Sequence, residues 1–366
     1  MRTYKIKDLG KVITGKTPST KVNIFWNSND FPFICPPDIK NNRYISKSIK
    51  YISNYALNKF NSIKLKENSI VISCIGYIGY VSITKKLSIS NQQINAITNI
   101  NRNIVSELYL YYLLLTKKDY FNSIGQNGTT MPIINKTLFE NIELSIHSIE
   151  QQHHIVNIMG TIDDLIEKKQ VEFNQKVKYL LLLFDKFETK NVSVLDNVFK
   201  TFSGGIFENK YYVDSSKHKL ITIKNVDDDG FNTKNVSYLS KEKANKKYLL
   251  SIGEMVLTMT GNIGRTGIVD EDECYLNQRL LKLSSQSSSY LFAYLQKYKK
   301  EIIQLGKGTA QLNLSLDDLK KLKVFNSYEE IVAFKKYDWI YNSLLNCKLV
   351  IKKAKQIKKI LLSKYF

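Results

Sequence analysis

The stretch Leu65-Lys-Glu-Asn-Ser-Ile-Val-Ile-Ser73, followed by Gly76-Tyr-Ile-Gly79, recurs as Leu250-Ser-Ile-Gly-Glu-Met-Val-Leu-Thr258 followed by Gly261-Asn-Ile-Gly264. In both places a short apolar run ends in two closely spaced glycines, the pattern of a buried strand entering a tight turn. Working outward, Phe31-Pro-Phe-Ile-Cys-Pro-Pro-Asp-Ile39 lies over His218-Lys-Leu-Ile-Thr-Ile-Lys-Asn-Val226, and Tyr51-Ile-Ser53 over Tyr238-Leu-Ser240, at one constant offset. From Leu65 onward the offset is two residues shorter, as a trimmed loop would make it. Asn91-Gln92 then pairs with Asn277-Gln278, and Gly125-Gln-Asn-Gly-Thr-Thr130 with Gly306-Lys-Gly-Thr-Ala310. Order and spacing both persist, so the chain reads as one module written twice.

Each copy is followed by a long helical pattern. The first, Ile149 to about Phe187, carries Ile155, Met159, Ile162, Ile166, Phe173, Val177, Leu180 and Phe184 at spacings mostly of three or four. The second, from about Tyr328 to Tyr365, carries Ile331, Phe334, Tyr341, Leu344, Ile351, Ala354, Ile357 and Leu361. Neither contains proline, so each is expected to remain one helix. A lone stripe of this kind ordinarily lies on its own domain, but two of them, each behind a copy of the same domain, point to helices that pair with each other. Roughly 38 residues at about 1.5 Å each make a rod of about 57 Å. Ser69 to Ile75 and Glu254 to Met259 read as strands, Leu108 to Tyr120 and Tyr290 to Leu305 as helices, so both copies are mixed α and β. The predicted divisions are 1–147, 148–190, 191–327 and 328–366: domain, helix, domain, helix.

A chain of 366 residues exceeds one ordinary core. Its 43% hydrophobic and 24% charged residues are those of a folded protein, not a disordered one. The net charge of +21, from 54 Lys+Arg against 33 Asp+Glu, favours a polyanionic partner, although a general bias toward Lys, Asn, Ile and Tyr contributes to it. The opening residues offer no apolar run for a signal peptide, which points to a cytoplasmic protein. The densest apolar run, Leu108 to Leu115, falls far short of the roughly 20 residues of a membrane helix. Cys35, Cys74, Cys274 and Cys347 show no metal-ligand spacing and read as reduced, buried thiols.

Catalytic signatures are missing. An adenine methyltransferase needs a short acidic or amide residue, Pro-Pro and an aromatic, and Cys35-Pro-Pro-Asp38 has neither flank right. There is no glycine-rich cofactor fingerprint, and Gly15-Lys-Thr17 lacks the upstream glycine of a phosphate loop, so it reads as a turn. Asp163-Asp164 and Asp227-Asp-Asp229 read as solvated helix-start and turn positions. His153 and His154 are adjacent, about 100° apart on a helix, and cannot jointly grip a metal. No metal or cofactor is expected in this chain.

The polar loops hold the binding candidates. The turns Gly76 to Gly79 and Gly261 to Gly267, with Tyr77 and Asn262 inside them, are either plain turns or places where backbone approaches a phosphate. Arg265 and Arg279 are either guanine contacts or surface ion pairs. Asn91, Gln92, Asn277 and Gln278 either read adenine or staple loops. Lys16, Thr17, Thr129, Thr130, Lys307 and Thr309 have the character that DNA backbone contacts use.

These residues resemble the specificity subunit of type I restriction-modification systems. The resemblance rests on Leu9-Gly-Lys-Val-Ile-Thr-Gly-Lys-Thr-Pro18, on Gly76-Tyr-Ile-Gly79 with Asn91-Gln92, on Gly128-Thr-Thr130, and on Ile149-Glu-Gln-Gln-His-His-Ile155 and Ile162-Asp-Asp-Leu-Ile166 leading into the helix. It covers nearly the whole length. The second copy departs by having Gly204-Gly-Ile-Phe207 for Gly-Lys-Thr-Pro18 and Tyr328-Glu-Glu-Ile-Val-Ala333 ahead of its helix, which weakens transfer of loop roles to that half. The resemblance implies an α+β fold: two similar mixed α/β target-recognition domains joined by two long antiparallel coiled-coil helices, with a pseudo-twofold internal repeat. It implies a non-catalytic subunit whose domains each read half of a bipartite site on double-stranded DNA, the helices setting the gap. It also implies two methyltransferase subunits docked on the helical region, here around Ile155, Ile162, Ile166, Leu180, Phe334, Leu344, Ile351 and Leu361. S-adenosylmethionine would belong to those subunits, and a translocating restriction subunit is a further partner of such systems. The alternatives are a specificity chain of a type II-like modification enzyme, and a helical scaffold whose charge is incidental.

Overall fold

The computed structural model describes residues 1–40, 42–125, 132–308 and 311–366. Its contacts divide into two compact units, one formed by Met1–Asp164 together with Gln356–Phe366, the other by Leu165–Lys355. In the first unit the main sheet has the spatial order Lys11–Thr14, Ile94–Thr98, Ile70–Ser73, Val81–Thr84, Tyr44–Ile45, antiparallel except for the last pair. A second sheet joins Lys50–Ile52, Phe31–Ile34 and Ile89–Ser90. All four residues of Ile70–Ser73 are buried, as a continuous apolar run bounded by turns requires. The helix Glu107–Thr116, capped by the Ser106 side chain, buries every residue from Tyr109 to Leu114. It has no polar face because it is a core element.

The second unit repeats this plan. Lys200–Ser203, Leu280–Ser284, Met255–Thr258 and Thr266–Ile268 follow the same spatial order, all antiparallel. Register is kept as well: Lys11 lies opposite Thr98 and Lys200 opposite Ser284, Ile70 opposite Ile97 and Met255 opposite Leu283. The one parallel pairing of the second sheet also recurs, Phe33 with Ile89 and Leu220 with Tyr275. Ser287 caps Ser288–Lys297 as Ser106 caps its counterpart. The second unit adds a short hairpin, Val226–Asp227 paired with Gly230–Phe231.

Two helices differ from the sequence reading in the same way. Each is broken, into Glu107–Thr116 and Lys118–Gly125 in one unit and Ser288–Lys297 and Lys299–Gln304 in the other. The backbone leaves helical geometry at Lys117 and Tyr298, and the bend seats the following lysine beside a glycine turn. A Cβ on Gly79 would lie 2.9 Å from Lys118 Cγ, and one on Gly264 would lie 3.5 Å from the Lys299 carbonyl.

The first long helix is continuous over Ile149–Phe187. The second is not: Tyr328–Phe334 passes through a 3-10 turn, Lys335–Tyr337, before Asp338–Tyr365. No proline is needed for this tightening. The Tyr337 carbonyl accepts the Ser289 hydroxyl, and the Asp338 carboxylate accepts the Ser287 hydroxyl and the Ser289 N–H, so the turn doubles as a cap for Ser288–Lys297. Within each unit the two long helices run antiparallel. In the first, His154 packs on Tyr365 and Asp163 meets Lys358; in the second, Lys176 bonds Ser343 and Phe184 lies against Phe334.

The apolar stripes face inward. Ile155 is buried in the first unit's core, and Leu180, Phe334 and Leu344 in the second's. Ile351 is also buried, while Leu361 packs half-buried on the first core and Ile162 and Ile166 are half-buried. The expectation that Ile155, Leu180, Phe334, Leu344 and Ile351 face a partner is therefore corrected, because packing within the chain leaves them no free surface. The large apolar side chains that the helices do expose include Leu165, Val171, Tyr179, Leu182, Trp339, Ile357 and Ile360.

The reading of Asp163-Asp164 as solvated positions holds for Asp164 alone. Asp163 is 5% exposed, with Lys358 Nζ at 2.6 and 2.9 Å from its two oxygens and the Tyr112 hydroxyl donating at 2.9 Å. It sits well inside the helix, on the side turned to Lys358, where a carboxylate persists only if paired. Asp164 is exposed and bonds Arg43. Cys74, Cys274 and Cys347 are buried free thiols and Cys35 is half-buried. Burial pushes Cys74 and Cys274 up to about 12, which keeps them protonated and unreactive.

Glu271 makes the acid limb of stability specific. Burial opposes its ionisation, yet hydrogen bonds from Lys219, Lys352 and Thr233 outweigh that and hold the carboxyl at about 2. The contribution is fully present above the ordinary glutamate value of about 4.3 and is lost as pH falls from there through about 2. Replacing Glu271 by glutamine is expected to flatten the fall of stability across that window, as measured by urea unfolding at a series of acid pH values. An unchanged slope would contradict the pairing.

Candidate nucleic-acid interface

In the first unit three loops leave the same end of the main sheet. Lys11–Thr14 and Ile70–Ser73 finish there, and Val81–Thr84 and Ile94–Thr98 begin there, because Thr14 pairs with Asn95, Ser73 with Ile94 and Ile72 with Val81. The loop after Ser73 folds over the Ser73 side chain, whose hydroxyl donates to the Tyr77 carbonyl and accepts the Tyr80 N–H. Gly76 and Gly79 have φ of 73° and 84°, which only glycine adopts without strain. Ile78 is the buried anchor and Tyr77, 74% exposed, the tip. Next to it, Asn91 is a buried staple: its side-chain oxygen accepts the Gln93 N–H at 3.1 Å and its amide donates to the Gln93 side chain at 3.0 Å. Gln92 is exposed and accepts the Thr17 hydroxyl at 2.6 Å. Gly15 is required because a Cβ there would collide with the Asn91 carbonyl. Lys16 follows it, exposed, its N–H bonded to the Ser90 carbonyl.

The second unit builds the same end from different side chains. Thr258 plays the part of Ser73, its hydroxyl donating to the Asn262 carbonyl and accepting the Arg265 N–H. Gly261 and Gly264 have φ of 72° and 78°, and Ile263 is the buried anchor. Asn277 is stapled as Asn91 is, accepting the Arg279 N–H at 3.2 Å, and Gly204 passes its carbonyl as closely as Gly15 passes that of Asn91. Gln278, Arg279 and the turn residue Asn262 are exposed. Arg279 has no ion-pair partner among the described residues. Lys307 is brought alongside by its backbone pairing with Asn313, which also bridges Thr260; its ammonium lies 2.8 Å from Asp318 and holds that carboxyl below its usual range.

The structure thus gathers Lys16, Thr17, Tyr77, Asn91 and Gln92 at one sheet end, and Asn262, Arg265, Gln278, Arg279 and Lys307 at the matching end of the other. The Gln92 side-chain oxygen is engaged by the Thr17 hydroxyl and would have to be shared with a base, and two more are not free to read bases as they stand. Asn91 is spent within its loop, and the Arg265 guanidinium is paired with Asp228 through two hydrogen bonds. Thr129, Thr130 and Thr309 lie outside the described residues. Sequence reasoning missed Lys118 and Lys299, which occupy the same place beside Gly79 and Gly264. Lys118 Nζ stands 4.9 Å over the Tyr80 ring, and Lys299 Nζ is 3.6 Å from Asp228. The available signal was positional, a lysine just past the bend of the same helix in both copies.

Among the described residues, no group of three or more His, Cys, Asp or Glu could hold a metal ion. No helix among them is long and apolar enough to cross a membrane. Cys35-Pro-Pro-Asp38 is a helix start in which Asp38 accepts the Cys35 and Ile49 N–H groups. What the two sheet ends offer is exposed amide, hydroxyl and cationic groups on turns fixed by glycine, suited to hydrogen-bonded contact with a polyanion.

A family model described as "Type I restriction modification DNA specificity domain" matches residues 1–179 and 188–325. The type I restriction enzyme MjaIX specificity subunit of Methanocaldococcus jannaschii is 33% identical over 212 residues, 55% of this chain and 48% of that protein. The chain therefore spans about half the length of that relative. The MjaVIII specificity subunit of the same organism is 28% identical over 355 residues, 87% of this chain and 80% of that protein. Among solved structures, the type-I restriction-modification system S subunit from M. genitalium superposes with a TM-score of 0.61 at 16% identity, covering 100% of this chain and 96% of that one. This is a likeness of fold.

Proposed function

Because the chain belongs to the type I restriction-modification DNA specificity family, we propose that it is the recognition subunit of such a system, each half reading one part of a bipartite duplex site. One observation carries this reading: the same loop-bearing sheet end is built twice, with the same glycine turn and asparagine staple but different exposed side chains. A shared frame with changed tips is what recognition of two different half-sites needs. Residues 1–147 and 191–327 serve as the target-recognition domains, and 148–190 and 328–366 as the helices that set the gap. Gln92, Gln278 and Arg279 are the side chains best presented to base edges, arginine to guanine and glutamine to adenine. Lys16, Thr17, Tyr77, Asn262 and Lys307 contact the backbone alongside.

The chain supplies the address and not the reaction. Methyltransferase subunits docked on the helical region bring S-adenosylmethionine and flip the target adenine into their own pockets, and a translocating restriction subunit joins in cleavage. All of this takes place in the cytoplasm, with the DNA.

The test is to express the chain with its methyltransferase partner and sequence the methylated genomic DNA. A split motif with one fixed gap is expected; methylation without any motif would end the reading. Inserting a few residues within Ile162 to Leu182 should then lengthen the gap and leave both half-site sequences as they were. Altered half-sites would show that the helices are not spacers.

A further inference from the structure

The second unit carries an acidic hairpin directly against its DNA-facing cations. We infer that Arg265 and Lys299 form a phosphate-binding pair and that Asp228, on the hairpin Val226–Phe231, is a built-in competitor occupying it until DNA displaces it. The inference rests on the DNA-recognition reading above and adds to it a contact and a means of weakening that contact.

Three features of geometry support it. First, Arg265 presents a two-pronged face, Nε donating to Asp228 Oδ1 at 3.2 Å and a terminal nitrogen donating to Oδ2 at 2.6 Å. That fork fits a phosphate as well as a carboxylate. Second, Lys299 Nζ approaches the same carboxylate, 3.6 Å from Oδ1. Two cations converging on one anion suit a phosphate rather than the uncharged edge of a base. Arg265 sits immediately after Gly264, in the turn that closes the proposed interface, and its own N–H is held by Thr258.

Third, the acid is placed and not merely nearby. The hairpin turn is closed by Asp227, which accepts the Asp229 N–H and the Asn232 side-chain amide, with Gly230 at φ 102°. Val226 and Phe231 anchor it in a buried cluster with Val256 and Val269. Phe231 rests so closely on the strand Thr266–Ile268 that a Cβ on Gly267 would lie 2.8 Å from it. Asp228 is therefore presented to Arg265 from a fixed support, yet its side chain remains 68% exposed. An exposed pair of this kind is weak enough for a polyanion to exchange. The repeat supplies a comparison: Lys118 holds the place of Lys299 in the first unit, but it lies over the Tyr80 ring and has no carboxylate partner among the described residues. The brake is a property of one half-site only.

The experiment uses the full chain and a random-sequence duplex, since phosphate contacts carry no sequence information, with binding followed by fluorescence anisotropy across a salt series. Asp228→Asn is expected to tighten binding roughly two- to fivefold at low salt. Asp229→Asn removes the same charge from the same hairpin without touching Arg265, and should leave affinity unchanged. The gain from Asp228→Asn should vanish when Arg265→Gln and Lys299→Gln are also present. An Asp228→Asn chain that binds no more tightly, an equal gain from Asp229→Asn, or a gain that survives loss of both cations would each overturn the inference. If the unaltered chain binds no duplex at all, it is the recognition reading itself that fails.

Discussion

Replacing Lys358 by methionine is expected to destabilise the first unit by about 3–5 kcal/mol, the usual cost of removing one partner from a buried ion pair. The Asp163 carboxylate, at 5% exposure, would lose both of its contacts to the ammonium and retain the Tyr112 hydroxyl. Methionine keeps a side chain of similar length but not the ammonium, which lies 5.8 and 5.5 Å from the Tyr111 and Tyr112 ring centroids, so the loss reports the ammonium's contacts with the carboxylate and the rings. Adding Asp163→Leu to the same chain should recover part of the stability, because it removes the uncompensated buried charge while leaving the neutral Tyr112 hydroxyl without this acceptor. Trp26 lies in the first unit and Trp339 in the second. A Trp339→Phe background therefore lets Trp26 fluorescence follow the first unit alone during urea unfolding. A change under about 1 kcal/mol for Lys358→Met, within the range of exposed pairs, would mean that the pair is not functionally buried.

Phe334→Ala should cost the second unit about 3–5 kcal/mol, the usual range for removing a buried aromatic ring. The ring is fully buried, with Phe187 and Tyr337 at 4.9 Å, Tyr290 at 5.5 Å and Phe184 at 6.3 Å between centroids. It joins both long helices to the helix Ser288–Lys297, so the cavity would open where three elements meet. Trp339 fluorescence in a Trp26→Phe chain measures it, and Phe334→Leu should lose clearly less. Equal losses for the two substitutions would argue that the aromatic cluster repacks rather than holding its shape.

The duplication was legible because a strand, its glycine turn and the next staple keep their order when surface residues change. Gly76 and Gly79 need positive φ, and Gly15 has no room for a Cβ, so those positions stay recognisable in the second copy as Gly261, Gly264 and Gly204. The family followed from the same frame. Partner choice among side chains was not legible. Asp163 and Asp164 are neighbours in sequence, yet one is buried against Lys358 and the other is exposed, and only the far end of the chain decides which. Arg265 looks like a base-reading arginine until a hairpin nearly forty residues upstream places Asp228 against it. The helix break at Lys335–Tyr337 has no proline or glycine to announce it, since its cause is the cap that Asp338 supplies to another helix.

The first unit is assembled from residues 1–164 and 356–366, and this bears on the order of events at the ribosome. Domains ordinarily fold in the sequence in which they emerge, but here the half encoded first is completed by the segment translated after everything in the other half. Leu361, Tyr365 and Phe366, which pack against its core, become available only after residues 165–355 have been made, so the half begun first cannot take its final form before the chain has been synthesised through them.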